Sequence, residues 1–103
     1  GLGYNLNLPL ERGTADDAFL ATLDTAFERI SAFGADALVV ALGLDAHVDD
    51  PFKGLAVTTP GFARIGAAIA GLGLDTLFVQ EGGYLSDALG ANLTHVLQGF
   101  ADA

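Results

Sequence analysis

Apolar residues between positions 15 and 33 fall at Phe19, Leu20, Leu23, Phe27, Ile30 and Phe33. Steps of three and four residues describe one face of an α-helix, so residues 15 to 33 are expected to form an amphipathic helix. Thr14, with Asp17 three residues on, reads as a capping box at its start. Gly34 supplies the stop, since glycine enters the left-handed conformation that closes many helices. The pattern then changes period. "ALVVAL", residues 37 to 42, is unbroken and β-branched in its middle, as in a parallel strand covered on both faces. "TLFV", residues 76 to 79, reads the same way. Between them Thr59 is expected to cap a helix with Pro60 at its first position. Phe62, Ile65, Ile69 and Leu72 share one face of that helix, and Gly71 and Gly73 end it. Beyond the second strand, Ser86 is expected to cap a last helix whose Leu89, Leu93, Val96, Leu97 and Phe100 face inward. At the other end, "YNLNL", residues 4 to 8, alternates up to Pro9 and reads as a short strand.

The expected order is β-α-β-α-β-α with short links and no internal repeat. This alternation implies an α/β fold, with a parallel sheet and helices on both of its faces. In such sheets ligands bind beyond the carboxyl ends of the strands. The stretches after residues 42 and 80 are therefore where chemistry is to be sought. Past the first lies "GLDAHVDDP", with Asp45, His47, Asp49 and Asp50. Past the second lies "EGGYLSD", with Glu81, Gly82, Gly83 and Tyr84. If the strands are neighbours, about 4.8 Å apart, Asp45 and Tyr84 open into one crevice.

Each of these residues has two readings. Asp45 is either a metal ligand or a capping carboxylate. His47 is either its chelating partner or a histidine lying behind the ligands or at the surface. Asp49 and Asp50, before Pro51, read as turn formers. Tyr84 either donates a hydrogen bond to a developing oxyanion or packs beside a turn. Glu81 is a base or a structural carboxylate. Asn92-Leu93-Thr94 matches a glycosylation pattern but falls inside an expected helix. "GLGYNL" follows no strand and is no dinucleotide fingerprint.

Composition narrows the picture. The chain has 103 residues, enough for one small domain, of which 51% are apolar. Its mean hydropathy is +0.48. A domain of this size buries only about 60–65% of its unfolded surface, so this much apolar character calls for cover. The expected cover is a missing N-terminal part of the same protein, or a second copy of the chain in a homo-oligomer. The lack of any Met and the strand-like opening "GLGYNLNLPL" favour a piece of a longer protein. The net charge is −9, with four Lys and Arg. Phosphate neutralisation needs clustered basic side chains, so neither nucleic acid nor an anionic membrane is an expected partner. A cationic ligand is compatible with it. No Cys is present, which removes disulfides, thiolate metal sites and Cys nucleophiles. The longest apolar run, residues 37 to 44, is far short of the roughly 20 residues of a membrane helix. No signal peptide is visible, and the expected location is cytoplasmic.

Taken in order, "NLNLPLERGT", "VVALGLDAHVDDP", "LAVTTPGF" and "LFVQEGGY" resemble the last third of the histone deacetylase and acetylpolyamine amidohydrolase superfamily. The wording is nearest to the acetylpolyamine branch. The resemblance covers nearly all of the chain. It implies that residues 1–103 are the C-terminal portion of a single arginase/deacetylase-like α/β domain. It further implies a zinc-dependent amidohydrolase acting on a small acetylated amine, such as an acetylated polyamine. In that family two Asp and one His hold the zinc. Asp45 matches the Asp of the third-ligand position, and Tyr84 matches the Tyr that polarises the acetyl carbonyl. Gly82 and Gly83 would let the backbone line the acyl tunnel. Tyr4 falls where some relatives help bind a monovalent cation such as K+ through a backbone carbonyl. The family's adjacent His-His pair and its Asp-x-His pair are absent here. Asp45-Ala46-His47 imitates the latter at the wrong position, so the resemblance gives His47 no ligand role. The chain by itself is therefore expected to be inactive. The alternatives are an acetyl-lysine protein deacetylase of the same scaffold and a non-catalytic α/β binding module. Iron or cobalt can occupy a site of this type in place of zinc.

Overall fold

The computed structural model describes residues 3–103; the first glycine of "GLGYNL" lies outside them. Helix α1 spans Asp16–Phe33 and strand β1 spans Ala37–Leu42. A short 3-10 turn, Leu44–Ala46, leads on to helix α2 (Thr59–Ala70), strand β2 (Asp75–Gln80) and helix α3 (Leu89–Asp102). The strands pair in parallel, from Ala37 opposite Asp75 to Leu42 opposite Gln80. The parallel α/β arrangement is thus the one the alternation predicts.

One face of this sheet carries Leu38, Val40 and Phe78. They pack with Phe19, Leu20, Leu23 and Phe27 of α1 against a buried cluster of Leu42, Leu44, Val57, Phe62, Ile65, Ile69 and Val96. Phe78 meets Phe100 of α3 edge to face, with ring centroids 5.3 Å apart. A side chain as large as Phe62, 1% exposed, contributes about 1.5–3 kcal/mol by leaving water. The opposite face is bare: Val39 is 67% and Leu77 60% exposed. The second helical layer is not formed by the described residues.

Helices α2 and α3 approach through glycines. A Cβ on Gly66 would collide with the Val96 carbonyl oxygen of α3, and one on Gly99 with the Ala63 carbonyl oxygen of α2. With no side chain between them, the two backbones come into direct contact.

Several local expectations are corrected. Residues 4 to 8 form no strand. A strand needs a partner for its N–H and C=O groups, and residues 4 to 8 pair with neither β1 nor β2. Tyr4 instead lies edge to face against Phe33 of α1, with centroids 6.0 Å apart. Helix α1 has no capping box: Ala15 is its N-cap, and Thr14 Oγ1 donates to the Glu11 carbonyl at 2.6 Å. Gly34, at φ 79°, closes it as expected. The cap of α2 is Thr58, whose Oγ1 accepts from Gly61 N at 3.1 Å, so Thr59 is already helical. Helix α3 starts after Ala88 without a side-chain cap, and Ser86 contributes its carbonyl to Leu89 N. Leu97 is 44% exposed and faces away from the core.

Two tertiary connections have no signature in the local pattern. Asp16, in the first turn of α1, accepts from both Thr58 N at 2.7 Å and Thr58 Oγ1 at 2.6 Å. It thereby ties the start of α1 to the start of α2. Residues 54 to 57 bridge two other segments. Ala56 pairs with Ala15 and Val57 with His47, both in parallel.

Candidate functional site

Because Leu42 and Gln80 are register partners, the chain leaves β1 and β2 at the same edge of the sheet. The two departing segments stay bonded: Glu81 N donates to Leu42 O, and Leu44 N donates to Gly82 O, each at 2.9 Å. Asp45 stands in the 3-10 turn immediately after this crossing and is half-buried.

The Asp45 carboxylate lies against the backbone of Gly82. A Cβ there would sit 2.6 Å from Oδ2 and 2.7 Å from Oδ1. A Cβ on Gly43 would sit 2.7 Å from Oδ1. Two glycines, one from each strand end, thus leave room for one carboxylate. Gly83 has a different role. Its φ of 138° is one that side-chain-bearing residues rarely adopt, and a Cβ would meet Leu89 Cδ1 at 2.9 Å and Leu44 Cβ at 3.0 Å. The turn at Gly83 sends the chain outward to Tyr84.

Tyr84 is 48% exposed and packs edge to face on Phe52, with centroids 5.0 Å apart. Phe52 also lines a cleft of about 350 Å³ together with Asp45, Asp50, Phe19 and Leu55. Asp45 and Tyr84 therefore leave one rim of the sheet, and Phe52 packs on Tyr84 while lining the same cleft as Asp45. Asp50 forms the expected turn, its Oδ2 accepting from Phe52 N at 2.9 Å and so fixing the backbone of that ring.

His47 is 4% exposed and belongs to the interior. Its Nδ1 accepts from Asp49 N at 3.2 Å, and its Nε2 meets Thr59 Oγ1 at 3.2 Å. Thr59 in turn donates to Asn92 Oδ1 at 2.7 Å. Asn92, 1% exposed, is too deeply buried to accept a glycan. Position in the sequence does not single out Thr59 and Asn92 as members of this cluster. A signal for Asn92 was there: it lies three residues after Leu89 and four before Val96, on the inward stripe of α3. Thr59 carries no such signal, because its place before Pro60 points to a cap.

Among the described residues no group of three His, Asp or Glu side chains converges on a point that could hold a metal ion. The Gly43–Gly82 cradle suits a single carboxylate ligand, but the donors among the described residues do not by themselves make a closed zinc site. Among the described residues, no helix is long and apolar enough to cross a membrane.

The histone deacetylase domain model matches residues 1–100. Acetylpolyamine amidohydrolase of Burkholderia pseudomallei is 47% identical over 100 residues, which are 97% of this chain and 29% of that protein. Acetylpolyamine amidohydrolase 1 of Pseudomonas aeruginosa is 45% identical over 103 residues, 100% of this chain and 30% of that protein. The crystal structure of acetylpolyamine aminohydrolase from Burkholderia pseudomallei superposes with a TM-score of 0.92 at 46% identity, covering 98% of this chain and 30% of that one. The chain thus spans less than a third of the length of these relatives.

Proposed function

Because the chain belongs to the histone deacetylase domain family, we propose that it is the C-terminal portion of a single-domain, zinc-dependent amidohydrolase that removes acetyl groups from acetylated polyamines or similar small amines. The observation that carries this reading is the shared rim. Asp45 in its glycine cradle and Tyr84 on Phe52 leave paired ends of neighbouring strands. The acetylpolyamine amidohydrolase names of the matched relatives support the substrate class.

In this reading Asp45 is one of three ligands, and the other two come from parts of the protein outside residues 1–103. A zinc ion in such a site supplies a Lewis acid and a water that ionises near neutral pH. The chain's own residues do the rest. The Tyr84 phenol donates a hydrogen bond to the oxygen of the acetyl carbonyl as charge builds there. Phe52 holds the phenol ring from one side. Gly82 and Gly83 keep bulk away from the acyl group. The location is cytoplasmic, and the Tyr4 carbonyl is assigned to a monovalent cation. The bare sheet face of Val39 and Leu77 is covered by the remainder of the protein.

The test uses the full-length protein, acetylputrescine and an acetyl-lysine peptide. Acetylputrescine is expected to turn over at least about tenfold faster, a preference of ~1.4 kcal/mol in the barrier. A chelator abolishes turnover and zinc restores it. Residues 1–103 alone show none. Faster cleavage of the peptide moves the assignment to protein deacetylation, and chelator-insensitive turnover removes the zinc.

A further inference from the structure

The geometry points to His47 as a positioning residue that holds the Asp45 turn in place, acting as the Nε2–H tautomer at the head of a one-way hydrogen-bond chain through Thr59 to Asn92. The direction follows from a single fixed donor. A backbone N–H can only donate, so Asp49 N, 3.2 Å from Nδ1, takes the lone pair of that nitrogen. The ring proton then resides on Nε2, because the bond made by one imidazole nitrogen decides what the other carries. Nε2–H donates to Thr59 Oγ1 at 3.2 Å, and the hydroxyl passes its own hydrogen to Asn92 Oδ1 at 2.7 Å. The orientation of the Asn92 amide is thereby set. Its Nδ2 is left as a buried donor without a protein partner among the described residues.

The consequence for Asp45 comes from where the imidazole is anchored. His47 is two residues past Asp45 and only 4% exposed, with its ring stacked over Phe62 of α2 at 6.2 Å. Its main chain closes the 3-10 turn, His47 N donating to Leu44 O at 3.2 Å. On the near side the same turn is held by Leu44 N to Gly82 O. The Asp45 turn is therefore pinned at both ends, to the segment leaving β2 through Gly82 and to α2 and α3 through His47. Releasing the second pin leaves the carboxylate free to swing out of the glycine cradle. That this matters for turnover rests on the reading of Asp45 as a site residue; the tautomer and the anchoring do not.

Three measurements on the full-length protein decide it. Imidazole 15N shifts of selectively labelled wild type are expected to show His47 as the Nε2–H tautomer. His47→Phe keeps an aromatic ring over Phe62 and deletes both bonds; hydrogen exchange across residues 43–50 is expected to rise at least about tenfold, as local opening becomes easier. His47→Gln, with a donor near the Nε2 position, restores most of the protection. With acetylputrescine, His47→Phe is expected to lower kcat at least about tenfold and to change KM less than about threefold, the mark of a misplaced group rather than lost binding. An Nδ1–H tautomer in the wild type overturns the proposal, and so does unchanged exchange at residues 43–50 in a folded His47→Phe protein. A wild type that does not cleave acetylated amines sinks the amidohydrolase reading, while tautomer and exchange still judge the anchoring.

Discussion

Replacing Gly82 by Ala in the full-length protein is expected to lower kcat/KM for the acetylated amine at least about 10²-fold, because one added methyl group moves a carboxylate by about an ångström. The added carbon would lie 2.6 Å from Asp45 Oδ2, well inside contact distance. No positive φ is recorded at Gly82, so Ala fits the backbone there and the damage is confined to its neighbour. Thermal unfolding should therefore stay close to wild type while zinc content and turnover fall. Wild-type activity in Gly82→Ala would overturn the ligand role proposed for Asp45. Tyr84→Phe offers a contrast. It leaves the ring on Phe52 and deletes only the hydroxyl, so on the proposed reading zinc content is expected to stay at the wild-type level. The expected loss in kcat is about 10²–10³-fold, the usual cost of deleting one donor to an oxyanion. Two lesions, one that loses metal and one that keeps it, separate the roles of the two loops.

The second large effect is on stability. Gly66→Ala is expected to destabilise the protein by about 2 kcal/mol, although alanine is the better helix former. Two terms oppose each other. Helix propensity favours Ala over Gly by about 1 kcal/mol. Against it, the new methyl meets α3 backbone, the Val96 carbonyl oxygen and, at 2.9 Å, Phe100 N. Forcing packed backbones apart costs about 3 kcal/mol, the upper end for overpacking. The second term wins. Gly90, in the partner helix α3, is the control: nothing lies within 4 Å of a Cβ built there. Gly90→Ala should be neutral or stabilising by less than about 1 kcal/mol. Denaturant midpoints of the two variants and the wild type give the comparison. Equal midpoints for Gly66→Ala and wild type would mean that α2 and α3 do not cross at these glycines.

What was legible in the sequence was whatever has a period or a local partner. Helix α1 was found to within a residue at its start and closed at Gly34, because six apolar residues and one glycine carry that information along eighteen positions. The apolar run at residues 37 to 42 coincides with strand β1, and that at residues 76 to 79 lies within a residue of each end of β2. The two loops worth searching were found by position, as the segments that follow parallel strands. Caps were read less well. Thr58 and Thr59 are chemically equivalent on paper, and only the approach of Asp16 to the first and of Asn92 to the second decides which one caps α2.

The chain's own order of residues was enough to settle its α/β character, the places where Asp45 and Tyr84 emerge, and a donor inventory with no thiol and only two imidazoles. Tertiary structure alone decided that β1 and β2 pair with Leu42 opposite Gln80, that Gly82 receives a carboxylate, that His47 points inward, and that residues 4 to 8 pair with no strand. The reason is one of range. Periodicity and capping act between residues a few positions apart, whereas each of these four outcomes depends on atoms brought together, or left apart, from distant stretches of chain.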